Sequence, residues 1–357
     1  MTDHPFEDII QAVSAGSSEG TEERHDERYV SGGAFIFDQP DEIPARWGDG
    51  EQILWAKGEA LMLCGPPGVG KTTLTGQVVR GLLGLQDKVL GYTVAPAEKV
   101  LYLAMDRPRQ IARSLGRHFR PADRERVDER LTIWPGPPPH DLAQKTEILL
   151  ELAQLAGADV VVVDSLKDAA VGLSDDAVGS GYNRARQTAL AGGVDIIELH
   201  HQRKATSQGG KQDKLSDVYG STWLTSGAGS VIGLWGDAGD PVVQFTQLKP
   251  VMEEVGPFQV LHDHQAGVST VQGEVDLVEL ARARGGLTVT MAAEAIHGDE
   301  ISQAQREKVR RRIKSLTKQG LLIETHITDA RNRDVSRWTA PRTPINTDPT
   351  LHTGGGS

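Results

Sequence analysis

The eight residues Gly65-Pro66-Pro67-Gly68-Val69-Gly70-Lys71-Thr72 match the phosphate-binding loop pattern G-x-x-x-x-G-K-[ST] at every fixed position. Backbone N–H groups that turn inward around such glycines form an anion cradle, helped by the positive end of the following helix, and need no side chains to do it. Lys71 is placed to reach the β- and γ-phosphates of a nucleotide, and Thr72 to offer its hydroxyl to Mg²⁺. Gly65 through Thr73 are therefore the candidate nucleotide-binding set, with a nucleotide and Mg²⁺ as the implied ligands. A glycine-rich turn with a chance Lys-Thr is the bland alternative.

Such a loop needs a buried strand in front of it and a helix behind it. Ala60 to Cys64 is an apolar run that reads as the strand, and Thr73 to Leu83 reads as the helix. Further buried strands are predicted at Val100–Ala104, Leu131–Trp134, Ala158–Ser165 and Val194–Leu199, then Val231–Trp235, Val242–Leu248 and Phe258–Leu261. Helical periodicity falls between several of them, through Leu115, over His140–Leu155 and over Asp175–Ala191. Strand and helix in alternation make an α/β domain with a mostly parallel sheet, and ligands bind at the carboxyl ends of its strands.

Those ends carry the remaining chemistry. Asp164 is predicted to end the strand beside the loop, where its carboxylate holds the Mg²⁺ water shell together with Thr72; a helix cap is its structural alternative. Asp106 ends another strand and is a candidate to orient the attacking water, although Asp before Arg107-Pro108 is also a good helix start. His200-His201-Gln202-Arg203-Lys204 ends a third, and residues 205–217 read as a mobile polar loop.

At 357 residues and 38% hydrophobic the chain has room for one large α/β domain and a smaller one. A net charge of −11 excludes a uniformly basic coat, so nucleic-acid binding must use local patches. The single cysteine, Cys64, excludes a disulfide framework. No apolar run spans a membrane and Met1-Thr2-Asp3-His4 lacks signal-peptide order, so a soluble cytoplasmic protein with no membrane partner is expected.

The order of phosphate loop, Leu-Tyr-Leu-Ala-Met-Asp106, Val-Val-Val-Asp164-Ser and Leu-His-His201-Gln-Arg-Lys204 resembles the RecA-like P-loop ATPases, and within them the RepA-like hexameric replicative helicases of plasmids and phages. The resemblance covers residues 45 to 262 in rough terms. It implies ATP as the nucleotide and a RecA-like core over residues 33–268; the Ser-, Gly-, Glu- and Asp-rich residues 1–32 before it read, by composition, as a disordered acidic arm. It places Asp106 where the family has a catalytic Glu, and His201 where relatives carry a Gln that senses the γ-phosphate. It implies a homo-oligomeric ring, a hexamer, with single-stranded DNA in its channel, where Lys204, Lys211 and Lys214 contact phosphates. It also implies that Lys249 reaches a neighbouring subunit's site. The family's Lys-x-Arg is here Lys249-Pro250-Val251, so Arg203 or another Arg would supply the second cation. A RecA-like recombination ATPase and an ATP-switched DNA-binding regulator are the competing functions.

Residues 273–340 read as three helices and a two-stranded wing, the order of a winged helix-turn-helix, before a disordered tail at 341–357. Gln305–Lys318 carries Arg306, Arg310, Arg311, Arg312 and Lys314 around a stripe of Val309, Ile313 and Leu316, as a helix in a DNA groove requires; Arg333 sits on the wing. Docking to protein is the alternative use of that face.

Overall fold

Strands that are apolar on both faces are stable only where helices cover both sides, and four valines in a row, Val160 to Val163, need a sheet interior. The computed structural model describes residues 29–202, 214–263, 265–272, 275, 277–297, 301–328 and 334–341. It divides between Gln272 and Gly273 into two compact units.

After a short helix over Gly32–Phe37, the first unit forms an antiparallel hairpin, β1 (Ala45–Asp49) and β2 (Gln52–Ala56). Then β3 (Ala60–Cys64) leads through the phosphate loop into α1 (Lys71–Leu82). A two-stranded ribbon, β4 (Lys88–Val89) and β5 (Tyr92–Thr93), precedes β6 (Val100–Ala104) and α2 (Pro108–Leu115). There follow β7 (Leu131–Pro135), α3 (Ile148–Ala156), β8 (Val160–Asp164), α4 (Asp176–Ala191) and β9 (Asp195–His200). Strands β10 (Ser230–Trp235), β11 (Val242–Lys249), β12 (Phe258–Asp263) and β13 (Val268–Gln272) complete it.

One nine-stranded sheet has the order β13-β12-β11-β10-β3-β9-β8-β6-β7. It is parallel from β10 through β7 and antiparallel from β10 to β13. Side chains alternate between two cores: Leu61 and Leu63 enter one, while Ala60, Met62 and Cys64 enter the other. Burial pushes the Cys64 thiol up to about 12, so it is an apolar filler and not a nucleophile.

Three expectations are corrected. Asp164 does not end the strand next to β3, because β9 is inserted between β3 and β8. The helix expected over His140–Leu155 is confined to Ile148–Ala156. Asp141 competes with helix formation by accepting from the N–H groups of Ala143 and, across the chain, Val171. Asp106 is not a helix cap: Arg107 occupies the cap position of α2, with Pro108 in the first turn. The edge strand β13 and the β1–β2 hairpin are additions that the sequence pattern did not reveal.

The second unit holds α5 (Leu277–Ala283), α6 (Val289–His297) and α7 (Gln303–Lys318), then an antiparallel pair, β14 (Ile323–Thr328) and β15 (Asp334–Thr339). A capping box starts α7: Gln305 N–H donates to Ser302 Oγ at 3.2 Å while Ser302 N–H donates to Gln305 Oε1 at 2.8 Å. Val309 and Ile313 join Leu277, Leu287, Leu322 and Trp338 in a separate core, and Leu287 bridges to Trp338. Among the described residues no helix is long and apolar enough to cross a membrane.

Candidate functional site

The loop turns where only glycine is comfortable: Gly68 and Gly70 have φ of +81° and +86°. Gly239 N–H donates to Gly68 O at 3.1 Å, tying the loop to the β10–β11 turn. The first-turn amides of α1 have no carbonyl one turn below them, so they remain available to an anion.

A cavity of about 330 Å³ lies against this loop. Gly68, Gly70, Lys71, Thr72 and Thr73 line one side, with Asp106, Asp164 and His201 from the ends of β6, β8 and β9 and Arg107, Gln110, Arg113 and Arg117 from the region of α2. Five of the side chains expected to carry chemistry, Lys71, Thr72, Asp106, Asp164 and His201, thus share one space.

Lys71 is folded back, with Nζ donating to Gly65 O at 2.8 Å and Pro66 O at 2.7 Å. Burial lowers its ammonium to about 8, against the opposing pull of Cys64 and Asp164. Thr72 Oγ1 lies 3.5 Å from Asp164 Oδ2. Burial raises the Asp164 carboxyl to about 6, although the Tyr102 hydroxyl, donating at 2.7 Å, and Lys71 pull it down. Asp106 is more exposed; its slight burial acts upward, but hydrogen bonds and charge from Lys167 and Arg107 hold it below the usual carboxylate range. The Lys167 Nζ distance is 3.0 Å.

Burial, reinforced by the Lys71 and Lys167 charges, brings His201 down to about 4. Its ring is therefore neutral near pH 7 and offers one donor and one acceptor. The preceding His200 is buried and donates from Nε2 to Tyr219 O at 2.6 Å, while Tyr219 N–H donates to His201 O at 3.1 Å. This backbone pairing fixes the end of β9 that carries His201 into the cavity.

Mg²⁺ suits this donor set. A hydroxyl and a buried carboxylate face each other across 3.5 Å beside an open anion cradle, and both are oxygen ligands.

Lys249 is elsewhere occupied. Its Nζ donates to the carbonyls of Ala228 at 2.6 Å, Ser226 at 2.9 Å and Thr225 at 3.3 Å, satisfying the end of the short helix Thr222–Ser226. Burial, and then the Arg186 charge, lower its pKa. Lys214 is exposed at the start of the turn Leu215–Asp217. Arg203, Lys204, Lys211 and Arg333 lie outside the described residues. On α7, Arg306, Arg310, Arg311 and Lys314 are exposed and Arg312 is half-buried; Arg310 also bonds Glu307 at 3.2 Å.

Sequence reading missed Tyr102, Lys167 and the buried pair Arg186–Glu198. Only strand register brings Tyr102 to Asp164, since β6 and β8 pair Tyr102 with Val162 and Ala104 with Asp164. Lys167 carried a local clue, three residues after Asp164 in the short helix Leu166–Ala169 that follows β8.

Residues 34–207 match the family model described as an AAA domain. Among solved structures, the ATPase domain of G40P is 13% identical with a TM-score of 0.45, over 60% of this chain and 86% of that one. A KaiC-like protein from the hyperthermophilic archaeon Pyrococcus horikoshii is 14% identical with a TM-score of 0.40, over 60% and 90%. No curated protein matches the sequence. The AAA-domain match spans just under half of the chain, and with the phosphate loop and the mostly parallel α/β sheet it supports a nucleotide-binding P-loop core.

Proposed function

We propose that this chain is an ATP-hydrolysing DNA motor, a replicative helicase of the RepA-like type that works as a hexameric ring. The observation that carries the ATPase part is the convergence of Lys71, Thr72, Asp106, Asp164 and His201 on one cavity at the carboxyl ends of the parallel strands. Lys71 and the loop amides would bind the β- and γ-phosphates, and Thr72 and Asp164 would hold Mg²⁺. When bound, the ion would offset phosphate charge. Asp106 would orient water, and neutral His201 would donate one hydrogen bond to the terminal phosphate.

Asp106→Asn is expected to lower turnover about 10²-fold while ATP binding is retained. Phosphate release and fluorescent-nucleotide titration measure the two separately; unchanged turnover would remove Asp106 from the chemistry.

The motor part rests on the family resemblance and on the second unit. Three helices and an antiparallel pair, closed by the Leu287–Trp338 bridge, have the order of a winged helix-turn-helix. On α7, Arg311 and Lys314 lie on the side away from buried Val309 and Ile313 and the exposed Arg306 and Arg310 flank that buried stripe, which suits contact with duplex phosphates. Lys204, Lys211 and Lys214 would follow single-stranded DNA in the ring channel.

For Lys249 to act on a neighbour it must leave three carbonyls. If it does so, Lys249→Ala subunits mixed with Lys71→Ala subunits are expected to regain hydrolysis that neither has alone, because each supplies what the other lacks. No recovery on mixing would make Lys249 a residue of its own subunit.

One experiment separates the functions. DNA-stimulated ATP hydrolysis with strand displacement from a forked duplex supports the helicase. Strand exchange without unwinding would mean a recombination ATPase, and site-specific duplex binding without stimulated turnover an ATP-switched regulator.

A further inference from the structure

We propose that His262, on β12 and outside the cavity, is a positioning residue that sets the conformation of the phosphate loop. Its imidazole lies directly against Gly70: a Cβ built there would overlap Nε2, Cδ2 and Cε1 of the ring. The ring is itself held. Nδ1 hydrogen-bonds Ser269 Oγ on β13 at 2.7 Å, and the backbone N–H of His262 donates to Pro241 O at 2.6 Å. Ser269 N–H donates to Gln77 Oε1 at 2.8 Å, and Gln77 belongs to α1, the helix that the loop enters.

A circuit therefore runs from Gly70 through His262 and Ser269 to Gln77 and back along α1. Its three side chains are almost wholly buried, His262 at 2%, Ser269 at 1% and Gln77 at 4% exposed. The hairpin β12–β13 that carries two of them lies past residue 207, where the family match ends.

The need for such a brace follows from the loop itself. Gly68 and Gly70 have many backbone conformations open to them, and only one set aims the amides at a shared anion. With the ring removed, space opens beneath Gly70 and other loop conformations become accessible. The amides contact phosphate in the ground state and the transition state alike, so their disorder weakens both equally. KM then rises while kcat is held. His262 touches no reacting atom, and its role is exerted through Gly70.

This inference rests on the ATPase reading, and the test keeps the two apart. Steady-state ATP turnover and nucleotide-free thermal unfolding are measured on the full chain for wild type and for His262→Ala, His262→Asn and His262→Gln. Asn keeps a hydrogen-bonding atom near the Nδ1 position for Ser269 but leaves the space under Gly70 empty; Gln extends into that space. KM for ATP is expected to rise about 10-fold in the Ala and Asn variants with kcat within about 2-fold of wild type, and Gln to recover most of the loss.

An unchanged KM in His262→Ala, whatever its melting temperature, would overturn the proposal, as would Gln performing no better than Asn. Should His262→Ala not fold, Ser269→Ala keeps the ring but removes its Ser269 bond, and a KM rise of about 3-fold is then expected, no rise being the contrary result. A wild-type chain with no ATP turnover would instead overturn the ATPase reading.

Discussion

Replacing Lys71 by Ala is expected to lower ATP turnover by about 10³-fold or more, the upper end of what one lost electrostatic donor costs. The size of the effect follows from where the side chain is held. Lys71 is nearly buried, and its ammonium is kept inside the loop by the carbonyls of Gly65 and Pro66, ready to move a short way onto an incoming phosphate. A charge in such a water-poor site acts through a lower effective dielectric than a surface lysine does. Alanine removes it without disturbing the core, because Val69 and Leu74, which anchor the loop and α1, remain buried. Binding of duplex DNA by the second unit is expected to persist, since that unit has a core of its own. Phosphate release against ATP concentration, paired with a DNA mobility shift, checks both halves. Normal hydrolysis by the variant would end the central claim.

What could be read from the sequence depended on the range of the interaction. The loop is a local motif, and the parallel strands announce themselves by unbroken apolar runs such as Val160–Val163, so the core and its strand-end acids were legible. Pairing order was not: nothing in the sequence of β8 says that β9 will stand between it and β3. The shared cavity still forms because Thr72 and Asp164 meet across that intervening strand. Edge strands were also hard to read. β13 alternates weakly, with Ser269 buried and Val268 and Thr270 exposed, which reverses the usual sense of polar and apolar faces. The helix predicted over His140–Leu155 starts later because the Asp141 carboxylate serves Val171, thirty residues away, and no local pattern records that bond.

The buried pair Arg186–Glu198 was invisible for the same reason, and it carries the largest stability prediction. Glu198 stands in β9, between β3 and β8, with neither it nor Arg186 exposed at all. A carboxylate there survives only because α4 answers it. Arg186 donates to it twice, Nε at 2.8 Å and Nη2 at 2.7 Å, and the Tyr182 hydroxyl one turn earlier donates at 2.9 Å. Glu198→Ala would leave the guanidinium buried and uncompensated and the Tyr182 hydroxyl without its acceptor. The expected loss is about 3–5 kcal/mol, which lowers the melting temperature of a unit this size by about 10 °C. The desolvation cost that makes the single variant severe also predicts its remedy. Glu198→Leu combined with Arg186→Met and Tyr182→Phe removes both charges and the stranded hydroxyl together and is expected to regain most of the lost stability. The consequence extends to the cavity, because Glu198 lies on the same face of β9 as His200, whose bond to Tyr219 fixes the strand end bearing His201. The triple variant should therefore melt near wild type and hydrolyse ATP. A single variant that melts within 2 °C of wild type, a shift equivalent to roughly 1 kcal/mol or less, would mean that α4 and β9 do not depend on this pair.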